Sequence, residues 1–130
     1  MAETIRIVLV DDHPLFREGV AYTLGAQADM EVVAQGESRD EAARLAERHA
    51  PDVLLLDINI PGGGIEAARA IAAARPAIRI IMLTASVDED DLAAAMAAGA
   101  KGYILKGVAA RELVGIVRAV NAGEGYVAPS

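Results

Sequence analysis

A doubly wound α/β domain, five parallel strands with helices on both faces, is the fold this sequence predicts, and two observations predict it. Residues 5–10, 31–35, 53–56, 80–83 and 102–105 form five short runs rich in Val, Ile and Leu. They are apolar at consecutive rather than alternate positions, the pattern of strands covered on both faces. Between them lie stretches whose apolar residues recur every three or four positions, so each can form a helix with one stripe toward a sheet. Strict alternation of the two patterns means right-handed strand-helix-strand units.

Taken in order, the first run ends at Asp11-Asp12, and Pro14 suits the first position of a helix whose stripe is Phe16, Val20 and Leu24. The second run, Glu-Val-Val-Ala-Gln, is the least apolar and is expected at a sheet edge. Ser38 and Glu41 read as a capping box that opens a helix with Ala42, Leu45, Ala46 and His49 on one face. The third run closes at Asp57, and after Gly62-Gly63-Gly64 a third helix carries Ile65, Ala68 and Ala72 inward. The fourth run closes at Thr84. A second capping box, Ser86 with Glu89, precedes the stripe Leu92, Ala95 and Met96. After the fifth run, residues 106–110 offer no Ser, Thr, Asp or Asn to accept the first amides of the last helix. That end is expected to be mobile or 3₁₀-like, ahead of the stripe Leu113, Val117 and Val120. Residues 123–130 lose periodicity and read as the start of a linker, leaving 1–122 as one domain.

The bulk composition agrees with one domain: 130 residues, 54% hydrophobic, are enough for a single substantial core. A net charge of -7 disfavours a surface that grips a nucleic-acid backbone, which needs clustered Lys and Arg. The absence of cysteine removes disulfide and thiolate sites. No signal-peptide pattern and no apolar segment near the ~20 residues of a membrane span is present, so a cytoplasmic protein without membrane contact is expected.

The polar residues at the strand ends carry the chemistry. Asp11 and Asp12, Asp57, Thr84 and Lys106 all stand at carboxyl ends of predicted parallel strands, the edge where open α/β sheets bind ligands. Three carboxylates within ~5 Å would repel by roughly 3 kcal/mol per pair at an effective dielectric near 20, so they need a cation among them. An oxygen-only donor set suits Mg²⁺, which keeps waters that phosphoryl oxygens can replace. Asp57, ending a central strand, is the best-placed nucleophile. Lys106 can neutralise a phosphoryl oxygen and Thr84 can donate to another. The triple glycine matches no dinucleotide or phosphate-loop spacing and reads as loop geometry. His13 and His49 have no second metal-spaced histidine and are given no ligand role.

Asp11-Asp12-His13-Pro14, Leu54-Leu55-Leu56-Asp57 with Pro61-Gly62, Leu83-Thr84-Ala85, and Gly102-Tyr103-Ile104-Leu105-Lys106 resemble the receiver domain of bacterial response regulators. The opening motif, the run Ala98 to Tyr103 and the closing Ala122-Gly123-Glu124-Gly125 resemble the NarL/FixJ (LuxR-type) subfamily in particular. The likeness spans residues 5–128. It implies the flavodoxin-like receiver fold with strand order 2-1-3-4-5, an order that rests on the resemblance and not on the residue pattern. It also implies that Asp57 accepts the phosphoryl group. Asp12, Asp57 and the main-chain carbonyl of Asn59 would bind Mg²⁺ directly, and Asp11 through water. Thr84 becomes the switch hydroxyl, Lys106 pairs with the phosphoryl group, and Tyr103 moves between outward and inward positions. The fourth helix, fifth strand and fifth helix form the output surface.

Partners follow from the same resemblance: a sensor histidine kinase as donor, a C-terminal helix-turn-helix output domain that binds DNA and controls transcription, and a homodimer on phosphorylation. The domain itself is expected to touch neither nucleic acid nor membrane. Two departures stand out. The Gly62-Gly63-Gly64 loop is one residue shorter than the commoner spacing, and Gly107 follows Lys106 where many receivers carry a cis proline. A phosphatase of the haloacid dehalogenase type would want an Asp-x-Asp pair, which Asp57-Ile58-Asn59 lacks. A flavin-binding module would find its phosphate repelled by Asp11-Asp12. An unphosphorylated receiver-like interaction module is the remaining alternative.

Overall fold

Five parallel strands lie side by side in the order β2-β1-β3-β4-β5 in the computed structural model, which describes residues 3–85 and 88–127. They are β1 (Ile5–Val10), β2 (Met30–Gly36), β3 (Val53–Asp57), β4 (Arg79–Thr84) and β5 (Gly102–Leu105). The helices are α1 (Pro14–Gly25), α2 (Arg39–His49), α3 (Gly64–Ala74), α4 (Glu89–Ala98) and α5 (Ala110–Asn121). The least apolar strand, β2, is at the edge as its composition predicts, and one extra residue, Val33, bulges there between the Ile7–Val32 and Val8–Ala34 pairs.

The consecutive apolar runs have a simple cause. Successive side chains of a strand point to opposite faces, and here each face has its own core. Val8, Val10, Leu54, Leu56, Ile80 and Met82 meet α2, α3 and α4 on one side. Ile7, Leu9, Val53, Leu55, Ile81 and Leu83 meet α1 and α5 on the other. The two sides are filled differently. The three-helix side uses small residues, Ala42, Ala46, Ala67, Ala68, Ala95 and Ala98, whereas α1 and α5 contribute Val20, Leu24, Leu113, Ile116 and Val117.

Helix starts follow local chemistry with three differences from expectation. Ser38 caps α2 by accepting the Glu41 N–H at 3.2 Å, while Glu41 accepts the Glu37 N–H at 3.0 Å, one residue earlier than the usual reciprocal bond. Ser86 lies outside the described residues. The cap of α4 is Asp88, whose carboxylate accepts from Asp90 and Asp91 N–H at 2.9 and 3.1 Å. Met96 is 39% exposed, since the inner face of α4 runs through Ala95 and Ala98. Ala109 opens α5 with no side-chain cap, as composition predicts. Its approach is a turn closed by Val108 N–H to Leu105 C=O at 3.3 Å, not a 3₁₀ helix.

The tail also differs. Gly123, at φ 98°, reverses the chain after α5, and Tyr126–Val127 forms β6, parallel to β5 opposite Gly102 and Tyr103. No helix among the described residues is long and apolar enough to cross a membrane.

Candidate functional site

Parallel strands deliver their carboxyl ends to one edge, so residues far apart in sequence meet there. Asp11 follows β1 and is fully buried, and Asp57, the last residue of β3, is 1% exposed. Asp12 is half-buried beside them, and one oxygen each from Asp11, Asp12 and Asp57 with a nitrogen of His13 all lie within 4.8 Å of one another.

Lys106, one residue past β5, reaches into this cluster. Its Nζ stands 2.8 Å from Asp11 Oδ2 and 3.0 Å from Asp57 Oδ2. Burial disfavours its charge, but hydrogen bonds and attraction from Asp11 and Asp57 together outweigh that and raise its pKa above the usual lysine value. The Phe16 ring from α1 supports the same ammonium, its centroid 4.7 Å away. Backbone bonds brace the setting: Lys106 N–H to Thr84 C=O at 2.8 Å and Ile58 N–H to Leu83 C=O at 3.0 Å. Arg17 donates to the Asp11 carbonyl at 2.6 Å, fixing the loop after β1.

The glycines explain how the chain leaves Asp57. Asp57 Oδ1 accepts the Asn59 N–H at 3.1 Å, so the carboxylate is held from both sides while Asn59 itself is exposed. Gly62 and Gly63 take φ of 90° and 92°, a region closed to most side chains. Gly64 packs directly on β3: a Cβ there would stand 2.1 Å from the Asp57 carbonyl oxygen. The triple glycine is loop geometry, as its spacing implies.

Thr84 and Tyr103 form the second layer. Thr84 is buried at the end of β4, and Tyr103 on β5 is wholly buried. Burial raises the phenol pKa, and the neighbouring Thr84 side chain opposes the rise.

The residues present fit a divalent cation. Asp12 Oδ1 is buried and accepts no hydrogen bond, an arrangement that costs free energy unless a positive group completes it. The carboxylate donors are hard oxygens, and one ammonium already sits among them as a stand-in charge.

One residue given no role by sequence reasoning belongs here. His13 Nδ1 lies 3.0 Å from Asp11 Oδ1, 3.3 Å from Asp12 Oδ1 and 3.1 Å from Lys106 Nζ. A search for paired histidines overlooks it because its companions are carboxylates. His49 lies outside the cluster.

A buried acidic pocket with one lysine, at the switch edge of a 2-1-3-4-5 sheet, defines a class of α/β signalling domains, and comparison with known proteins narrows it. Residues 7–118 match the response regulator receiver domain family. The chain is 40% identical to the transcriptional regulatory protein DegU of Brevibacillus brevis over 96% of its own length and 53% of the relative's. It is 39% identical to the response regulator UvrY of Escherichia coli K12, over 95% of this chain and 57% of that one. Among solved structures, a LuxR-family two-component response regulator from Aurantimonas superposes with a TM-score of 0.92 at 38% identity, covering 98% of this chain and 91% of that one. The signal receiver domain of the putative response regulator NarL from Mycobacterium tuberculosis superposes with a TM-score of 0.90 at 34% identity, covering 94% and 99%. The chain belongs to the response regulator receiver domain family, in its NarL/FixJ branch. It spans between half and three fifths of the length of these curated relatives.

Proposed function

We propose that this receiver is a phosphorylation-activated switch that takes a phosphoryl group on Asp57. The observation that carries the reading is the bridge of one largely buried ammonium, Lys106, between the carboxylates of Asp11 and Asp57 at 2.8 and 3.0 Å. Such a cluster is poorly balanced by itself and well suited to receiving a phosphoryl group together with a cation. Mg²⁺, when bound, would be held by Asp12, Asp57 and the Asn59 main-chain carbonyl, with Asp11 through water, and supplies the charge that lets a carboxylate approach an anionic phosphoryl group.

The chain's own residues do the rest. An Asp57 carboxylate oxygen forms the new O–P bond as the bond from phosphorus to the donor nitrogen of a sensor histidine kinase breaks. The Asn59 N–H holds the acceptor's other oxygen. Lys106 transfers part of its attraction from Asp57 to the phosphoryl oxygens, and the Thr84 hydroxyl donates to another of them. The added charge of about -1.5 to -2 favours one arrangement of Thr84, Tyr103 and the α4-β5-α5 surface over the other. That surface relays the change to a C-terminal helix-turn-helix output domain that binds DNA and controls transcription, with residues 123–130 leading toward it, and supports a homodimer on phosphorylation. The receiver works in the cytoplasm, makes no direct nucleic-acid or membrane contact, and catalyses only its own phosphorylation and dephosphorylation.

Incubation with acetyl phosphate and MgCl₂ followed by intact-mass measurement tests this. A gain of one phosphoryl group in the native chain and none in Asp57→Asn is expected. No gain in the native chain favours an unphosphorylated interaction module, and an undiminished gain in the variant moves the acceptor elsewhere. Asn59, polar and exposed beside the acceptor, helps position the water that hydrolyses the adduct. Asn59→Met is expected to slow dephosphorylation, followed as decay of the mass adduct; an unchanged rate removes that role.

A further inference from the structure

Asp-Asp-His-Pro makes His13 part of the acidic pocket through local geometry. The residue before a proline is confined to extended backbone, and His13 has φ -102° and ψ 99°. Its N–H donates to Asp11 Oδ1 at 2.8 Å, closing a tight turn that points the ring back over the carboxylates. The rest of the ring is open to water, with the side chain 61% exposed. Only Nδ1 faces inward.

Four separate distances define what Nδ1 meets: Asp11 Oδ1 at 3.0 Å, Lys106 Nζ at 3.1 Å, Asp12 Oδ1 at 3.3 Å and Asp57 Oδ2 at 3.6 Å. In the Nε2–H tautomer, Nδ1 presents a lone pair to the Lys106 ammonium, and the same lone pair is what a metal ion would need. Adjacent ligands around a metal at about 2.0 to 2.2 Å lie about 3 Å apart, so the 3.3 Å contact to Asp12 Oδ1 has the length of neighbouring positions in one coordination sphere. The buried Asp12 Oδ1, which accepts no hydrogen bond, faces the same space.

Resting on the reading of this pocket as a divalent-cation site, we propose that His13 Nδ1 is a metal ligand, making the pocket a mixed carboxylate-imidazole site that favours transition-metal divalent ions over Mg²⁺. Imidazole adds little for Mg²⁺, which prefers oxygen donors, and adds more for Mn²⁺, Co²⁺ and Ni²⁺ in rising order. The selectivity follows from one residue whose removal leaves all three carboxylates in place.

Calorimetric titration of tag-free protein with NiCl₂ and with MgCl₂ tests it, comparing the native chain with His13→Ala and His49→Ala. His13→Ala is expected to weaken Ni²⁺ about tenfold or more while changing Mg²⁺ less than about twofold, with His49→Ala like the native chain. Bound Mn²⁺ is expected to show nitrogen hyperfine modulation in its electron paramagnetic resonance that disappears in His13→Ala. Equal losses for Ni²⁺ and Mg²⁺, Ni²⁺ loss in His49→Ala, or no nitrogen modulation overturns the role of His13 while leaving the cation site intact. Failure of the native chain to bind either ion overturns the cation site itself, and the ligand with it.

Discussion

The two ends of the parallel sheet use the same kinds of side chain to opposite effect. At the amino end, Arg118 of α5 grips Asp29, just before β2, with two contacts of 2.9 Å, and the Asp52 carboxylate, just before β3, accepts the main-chain N–H of Arg6 in β1 at 2.8 Å. The Arg118–Asp29 tie faces solvent and gives one cation its own anion. At the carboxyl end, one largely buried ammonium serves two buried carboxylates, with Asp12 alongside. The first arrangement holds elements together, whereas the second leaves negative charge in excess of its one lysine. What separates them is stoichiometry and burial rather than residue type.

The largest effect that can break this contrast is at Gly64, because β3 has no room for a methyl group there. Gly64→Ala is expected to cost about 3 kcal/mol in chemical denaturation, since backbone must shift to relieve the clash with the Asp57 carbonyl. Retained stability would show the loop after β3 to be looser than the close approach implies.

Removing charge should act in opposite directions at the two ends. In metal-free buffer Asp57→Asn is expected to raise stability by about 1 kcal/mol, what is left of roughly 3 kcal/mol for each of its two carboxylate pairs once roughly 5 kcal/mol of lost Lys106 attraction is counted. Adding Mg²⁺ to about 100 times its dissociation constant should reverse the order, because the native chain then gains about 2.7 kcal/mol and the variant gains less. Thermal melts with and without the ion read both signs, and a destabilised Asp57→Asn in metal-free buffer would mean the pocket is balanced as it stands.

The smallest effect sharpens the amino end. The Arg118 hydrogen bond lowers the Asp29 pKa below its ordinary 3.8. A lowered folded-state pKa contributes stability above the ordinary carboxylate value and loses it as pH falls through the folded one. Arg118→Ala should therefore melt slightly below the native chain at neutral pH, with the gap closing in acid and narrowing at high salt. Lys106 has the opposite sign: its raised pKa stabilises at all pH below the usual lysine value of 10.5 and is lost as pH rises through the higher folded value. A gap in Arg118→Ala that persists in acid would show that packing, not charge, sets it.

How much of this is legible in the sequence depends on the range over which each feature is determined. The five strands are, because burial on both faces forces Val, Ile and Leu onto consecutive positions such as Leu54, Leu55 and Leu56. The meeting of Asp11, Asp12, Asp57 and Lys106 is legible too, since parallel strands send their carboxyl ends to one edge. Features set by competition between nearby candidates are not. Ser86 and Asp88 both suit a helix cap, and Asp88 holds that place; Met96 and Ala98 both suit the α4 stripe, and the alanine fits the close-packed face. Two residues are too few to show a period, so β6 leaves no pattern. His13 escapes a histidine-spacing rule because its neighbours are acids delivered by a turn and by other strands.

The short sixth strand has a bearing on solubility. Tyr126 donates its N–H to the Lys101 carbonyl at 3.1 Å and lies along β5, covering peptide groups that would otherwise be open to pairing with another chain. On the opposite margin, β2 carries the exposed Glu31 and Gln35 and the kink at Val33. A sheet with a hydrophobic core on each face is thus guarded at both borders against templated self-association, by a fold-back at one and by charge and irregularity at the other.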